Sequence, residues 1–96
     1  MFVGAVRFEL RLPNVHSLKE KRAVIRPILD GSRNRYRVAS AEVGAQDSWQ
    51  RAILGMSAVA ASPSHVEEVL DEVERFVWSF PEVEVVSAER MWADAE

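Results

Sequence analysis

The run Ser17-Leu18-Lys19-Glu20-Lys21-Arg22 puts three cations into the first turn and a half of what reads as a helix. The macrodipole is already positive there, so each cation costs roughly 0.3 to 1 kcal/mol instead of adding stability. Cations placed against that cost point to a ligand. Free backbone N–H groups with cations at a helix start form an anion site, and phosphate is its usual occupant. On an ideal wheel Lys19, Arg22, Arg26 and Arg33 fall within about a 60° arc beside the apolar stripe, a ridge able to follow a phosphate backbone. Lys21 belongs to the same cationic run but projects into the apolar side, where it needs a carboxylate or a route to solvent. The candidate phosphate or RNA contacts are therefore Lys19, Lys21, Arg22, Arg26 and Arg33.

Other chemistries lack their residues. The chain has no cysteine, which excludes a thiol nucleophile and a cysteine-based zinc site and leaves His16 and His65 as the nitrogen ligands. No metal site, cofactor motif or Walker or dinucleotide glycine pattern is readable, and no Ser/His/Asp order or close carboxylate pair names a catalytic residue. His16 and His65 stand at helix starts and read as capping or loop residues. An RNA recognition motif would need stacking aromatics on the open faces of its first and third strands. Here Phe2 and Phe8 point toward the helices and the third strand reads Arg51-Ala52-Ile53-Leu54-Gly55, so that module is rejected. An acylphosphatase would need a glycine-rich loop ending in arginine after the first strand, which is missing.

The elements that must carry these residues follow from period. Residues 2–12 alternate, with Phe2, Val6, Phe8, Leu10 and Leu12 on one side, which is a strand buried on one face. Pro13 and Asn14 break it, and Ser17 with Glu20 forms a capping box. Leu18, Ile25, Ile28 and Leu29 keep one helical face past Pro27 toward Asn34, with a kink expected at Pro27. Strands are expected over 38–45 and 51–61 around a turn at 46–49. A turn centred on Asp47 and Ser48 would set Val43 opposite Ala52 and Ala41 opposite Leu54. Ser62 with Pro63, or Ser64 with Glu67, opens a second helix whose Val66, Val69, Leu70, Val73, Val77 and Phe80 share one face until Pro81. Residues 83–92 close the chain as a strand.

Two right-handed βαβ crossovers joined by a hairpin give an α+β domain over residues 1–96: a ferredoxin-like βαββαβ plait, with a four-stranded antiparallel sheet and two helices on one face. A βαββαβ arrangement with another strand order is the rival. In the plait, the loop 13–17, the start of helix one, the hairpin and the end of helix two meet at one end. That gathers His16, Asp47, Trp49, Gln50, Arg51 and Trp78 beside the cationic run, with Asp47 or Glu20 able to hold Lys21 or Arg22. Trp49 is expected to pack over the sheet, and Trp78 and Trp92 to be exposed. The open sheet face would show Arg7, Glu9, Arg11, Glu42, Arg51, Ile53 and Arg90, with Trp92 if the last strand keeps register. Such a mixed face suits pairing with a second copy.

Charge is lopsided behind a net value of −3. Residues 19–37 hold seven bases against two acids, while residues 62–96 hold ten acids against two bases. This imbalance speaks about partners, not fold. Helix two would expose Glu67, Asp71, Glu72 and Glu74 beside helix one, so the ridge could also answer an acidic neighbour within the chain. With 48% hydrophobic and 28% charged residues, and apolar stretches cut by Arg7, Ser57 and Glu84, the composition is neither disordered nor membrane-spanning. No export signal is visible, and a cytoplasmic protein is expected.

The start 1–12, the run Ser17 to Arg22, the segment Ala41-Glu42-Val43-Gly44 and the stretch Gln46-Asp47-Ser48-Trp49-Gln50-Arg51-Ala52 resemble the bacterial YlxP-like proteins, a family of unknown function. The resemblance covers nearly the whole chain and implies the ferredoxin-like fold and a cytoplasmic bacterial protein. Members are often encoded beside translation initiation and ribosome-binding factors, which implies a role in ribosome maturation or translation with RNA or a ribosomal subunit as partner. It supplies no catalytic residue. Pro27, Gly31 and Pro63 depart from the helical residues usual in the family at those positions. Two functions remain: an RNA- or ribosome-binding module using the ridge, and a homodimeric interaction domain using the open sheet.

Overall fold

The computed structural model describes residues 1–94, which run β1 (Phe2–Arg11), α1 (Leu18–Tyr36), β2 (Ala39–Gly44), β3 (Arg51–Ala60), α2 (Pro63–Trp78) and β4 (Glu84–Asp94). The strands form one antiparallel sheet in the order β2-β3-β1-β4. This is the ferredoxin-like plait, and the helices cover one face of it. Val6, Phe8, Leu10 and Leu12 of the β1 side are fully buried beneath them, as the alternation requires.

Local chemistry sets both helix ends. Ser17 Oγ accepts the Glu20 N–H at 3.1 Å, and Ser62 Oγ accepts the His65 N–H at 3.3 Å with Pro63 as the first helical residue. Pro27 is exposed on the outer side of α1, which continues through it to Tyr36 and ends at Arg37 in the left-handed region (φ 56°). The two helices meet where Gly31 leaves room for the Phe76 ring, which a Cβ at position 31 would strike. Phe76 also packs edge-on to Tyr36 and Phe80 at 5.6 and 5.1 Å between ring centres.

Two irregularities in the ladders correct the expected faces. In β2 the observed partners are Ala41 with Gly55, Glu42 with Leu54 and Gly44 with Ile53, so the expected pairing of Val43 with Ala52 and Ala41 with Leu54 is off by one. Val43 is the extra residue of a bulge, and Glu42 turns to the helix side instead of the open face. In β4 the register shifts between Glu9 and Leu10: Leu10 faces Val85 while Glu9 faces Ser87, which leaves Val86 over. One extra residue inverts the side-chain parity of everything after it. Arg90, opposite Val6, and Trp92, opposite Gly4, therefore stand on the helix side, not on the open face. Ile53 does lie on the open face but is buried, because Gly44 beside it has no side chain to hold it off.

Candidate nucleic-acid interface

The first turns of α1 meet the β2–β3 connection through Lys21. Its ammonium is buried with a residue exposure of 1%, and it donates to the carbonyls of Ala45 at 2.7 Å and Ser48 at 2.8 Å. The Glu42 carboxylate lies 2.8 Å from the same nitrogen. Ala45 adopts φ 55°, which turns its carbonyl into reach of both Lys21 and the Ser48 N–H. Lys21 thus ties helix, strand and turn together, and it is removed from the set of phosphate contacts because no ligand can reach it. Glu42 is the residue that sequence reasoning missed. The signal was a lysine on an apolar arc with a glutamate to come in the next strand, but the parity of β2 pointed Glu42 the wrong way.

The rest of that end assembles as expected in part. Leu12 N–H donates to the Gln50 carbonyl at 3.0 Å, and Gln50 Nε2 donates to the Val15 carbonyl at 3.1 Å, so the loop after β1 and the hairpin are joined. Arg51 leaves the group. Its guanidinium grips Glu9 on the open face through Nε and Nη2 at 3.2 and 3.3 Å. The hydrogen bond from Arg51 is the largest influence on the Glu9 carboxyl, and with the positive charges of Arg51 and Arg7 it outweighs burial and holds the group below the usual glutamate range. Asp47 is exposed and holds neither Lys21 nor Arg22. Trp49 is about half exposed, where packing over the sheet was expected. The helix start is also less open to an anion than the sequence suggested. Glu20 Oε2 accepts the His16 N–H at 2.6 Å and so keeps a carboxylate against the helix N-terminus.

What remains is the outer stripe of α1. Lys19, Arg22 and Arg26 are exposed and, with Ala23, Pro27 and Asp30, line a shallow groove of about 480 Å3. Among the described residues none of the three cations makes an ion pair, whereas Arg33 is bound to Asp30 at 2.9 Å and also donates to the Ser40 carbonyl of β2. The acids of α2 do not answer this stripe. Asp71 and Glu74, three apart on one face, hold Arg90 of β4 at 2.7 and 3.0 Å; burial by itself lowers the guanidinium pKa, but the hydrogen bonds and charges of Glu74 and Asp71 together outweigh it and raise it. No ion pair among the described residues joins α1 to α2.

No group of three or more His, Cys, Asp or Glu among the described residues is arranged to hold a metal, and no helix is long and apolar enough to cross a membrane. Residues 3–90 match the family described as "Protein of unknown function (DUF503)". Over 90 residues the chain is 39% identical to the "Uncharacterized protein YlxP" of Bacillus subtilis (strain 168), an alignment that takes in 94% of this chain and 98% of that protein. The chain belongs to the DUF503 family of proteins of unknown function.

Proposed function

We propose that the protein is a non-enzymatic RNA-binding module that holds a phosphate backbone along α1 through Lys19, Arg22 and Arg26, with Arg33 at the far end. The observation that carries this reading is the row of three exposed cations along one groove, none of which pairs with an acid among the described residues. At 1.5 Å per residue the stripe from Lys19 to Arg33 extends about 21 Å, enough for several phosphates. The resemblance to proteins encoded beside translation factors favours ribosomal RNA as the source. Filter binding of single-stranded RNA to the parent and to Lys19→Gln/Arg22→Gln/Arg26→Gln tests it. Three contacts to a single strand give a log–log salt slope near −2, from about −0.7 each, which the triple variant flattens while folding is unharmed. Cosedimentation with ribosomal subunits at low salt, lost in the variant, identifies the source. Equal binding by both proteins, or none by the parent at low salt, defeats the reading.

A second reading is a homodimer through the open sheet. Val59, Met91 and Val43 are more than half exposed there, and Val43 and Met91 help line a shallow groove of about 350 Å3 with Ala5, Ala39, Ala41 and Gly55. Light scattering at micromolar concentration decides it, since a dimer should become a monomer on Met91→Lys, and a monomeric parent ends the idea.

A further inference from the structure

The two edges of the sheet are finished differently. On β2, only six residues long and bulged at Val43, side chains close the outer backbone: Arg33 donates to the Ser40 carbonyl and Gln46 to that of Glu42. On β4, whose only strand partner is β1, no side chain among the described residues bonds to the backbone. From Ser87 to Asp94 it runs in unbroken register against Glu9 to Phe2, without a proline or a bulge and with Glu89, Arg90 and Asp94 as its charged residues. An edge of this length presents alternate N–H and C=O groups over about 27 Å at 3.4 Å per residue.

Beside that edge runs one stripe of α2. Glu67, Asp71, Glu74 and Trp78 fall within about a 60° arc of the helical wheel. The reach of Arg90 to Asp71 and Glu74 shows that the arc faces β4. Three carboxylates set against Arg90, with Arg75 beside Asp71, Glu74 and Trp78, leave the strip with a surplus of one negative charge. Trp78 stands 64% exposed, and Trp92, also half exposed, stands on the helix side of β4 near Val66 and Leu70, as the crowding at Gly4 shows. Two exposed indoles and a carboxylate row therefore flank an open strand edge.

We infer that the β4 edge accepts an extended, Lys/Arg-rich segment of a protein partner by strand addition. Backbone hydrogen bonds to Ser87–Asp94 supply the pairing. The segment's alternate side chains on the helix side meet Glu67 and the indoles of Trp78 and Trp92, which attract cations by charge and by their ring faces. A neutral or acidic segment gains the backbone bonds but not these contacts. The site is on a different strand and helix from the α1 ridge, so it stands whether or not α1 binds RNA.

An alternating Lys-Val octapeptide carrying a fluorescent label is the probe, with two controls: a Glu-Val octapeptide, and the Lys-Val peptide methylated on alternate backbone nitrogens. Anisotropy is expected to show binding by the Lys-Val peptide alone. Hydrogen exchange should slow at β4 amides that have no partner in the isolated sheet. Trp78→Ala and Glu67→Lys, both exposed sites that leave folding intact, should each weaken binding, by roughly tenfold for the aromatic anchor. The triple α1 variant should bind the peptide as the parent does. The idea is overturned by no binding at low salt, or by equal binding of the methylated peptide, which would mean charge attraction without strand pairing. A β4-to-β4 dimer of this chain that excludes the peptide would overturn it as well.

Discussion

Replacing Lys21 by methionine keeps the stem's volume and removes the ammonium that joins α1 to Glu42, Ala45 and Ser48. Removing one partner from a buried ion pair costs about 3 to 5 kcal/mol, because the other charge is left without compensation. Glu42 retains 21% of its side-chain exposure and so recovers some hydration, which puts the expected loss at the lower end, near 3 kcal/mol. A domain of this size has roughly 5 to 14 kcal/mol in all, so the variant folds with a narrow margin. The same loss lowers Tm by about 12 to 24 °C, and urea unfolding followed by tryptophan fluorescence should show an earlier midpoint with an unchanged slope. The double variant Lys21→Met/Glu42→Leu no longer strands a carboxylate and should regain about 1 kcal/mol or more of the loss. A loss under about 1 kcal/mol for the single variant, or a double variant no better than the single, would refute the assignment of Lys21 as the latch.

Three further outcomes follow from the same geometry. Asp47→Ala should leave the urea midpoint within about 0.5 kcal/mol of the parent, since Asp47 is exposed and Lys21 is held elsewhere. Gly31→Ala should lower Tm although alanine is the better helix former by about 1 kcal/mol, because the added methyl must displace the Phe76 ring, at a cost of about 1 to 3 kcal/mol. A carbon-detected NMR titration should place Glu9 below the usual glutamate range, and Arg51→Ala should move it back up. The folded-state pKa is the depressed one, so the stability from this pair is present above the unfolded carboxylate pKa and is lost as pH falls through the folded one. A Glu9 that titrates in the usual glutamate range would show that the pair does not form in solution.

Element order, the plait, both helix caps and the helix-facing side of β1 were legible in the sequence, because each rests on contacts within a few residues or on a sustained period. The ridge Lys19, Arg22 and Arg26 was legible for the same reason: a helix of 3.6 residues per turn assigns its faces without help from the rest of the chain. So was the need of Lys21 for a carboxylate, since a cation on an apolar arc must be answered from somewhere. Its partner was not, nor were the faces of Arg90 and Trp92. Side chains on a strand alternate with a period of two, so one bulged residue, Val43 in β2 or Val86 in β4, exchanges the two faces of one part of the strand relative to the other. No local pattern announces such a residue, because it is set by how the ladder closes against β3 or β1. The tertiary structure alone therefore decided that Glu42 meets Lys21 and that Arg90 takes up Asp71 and Glu74.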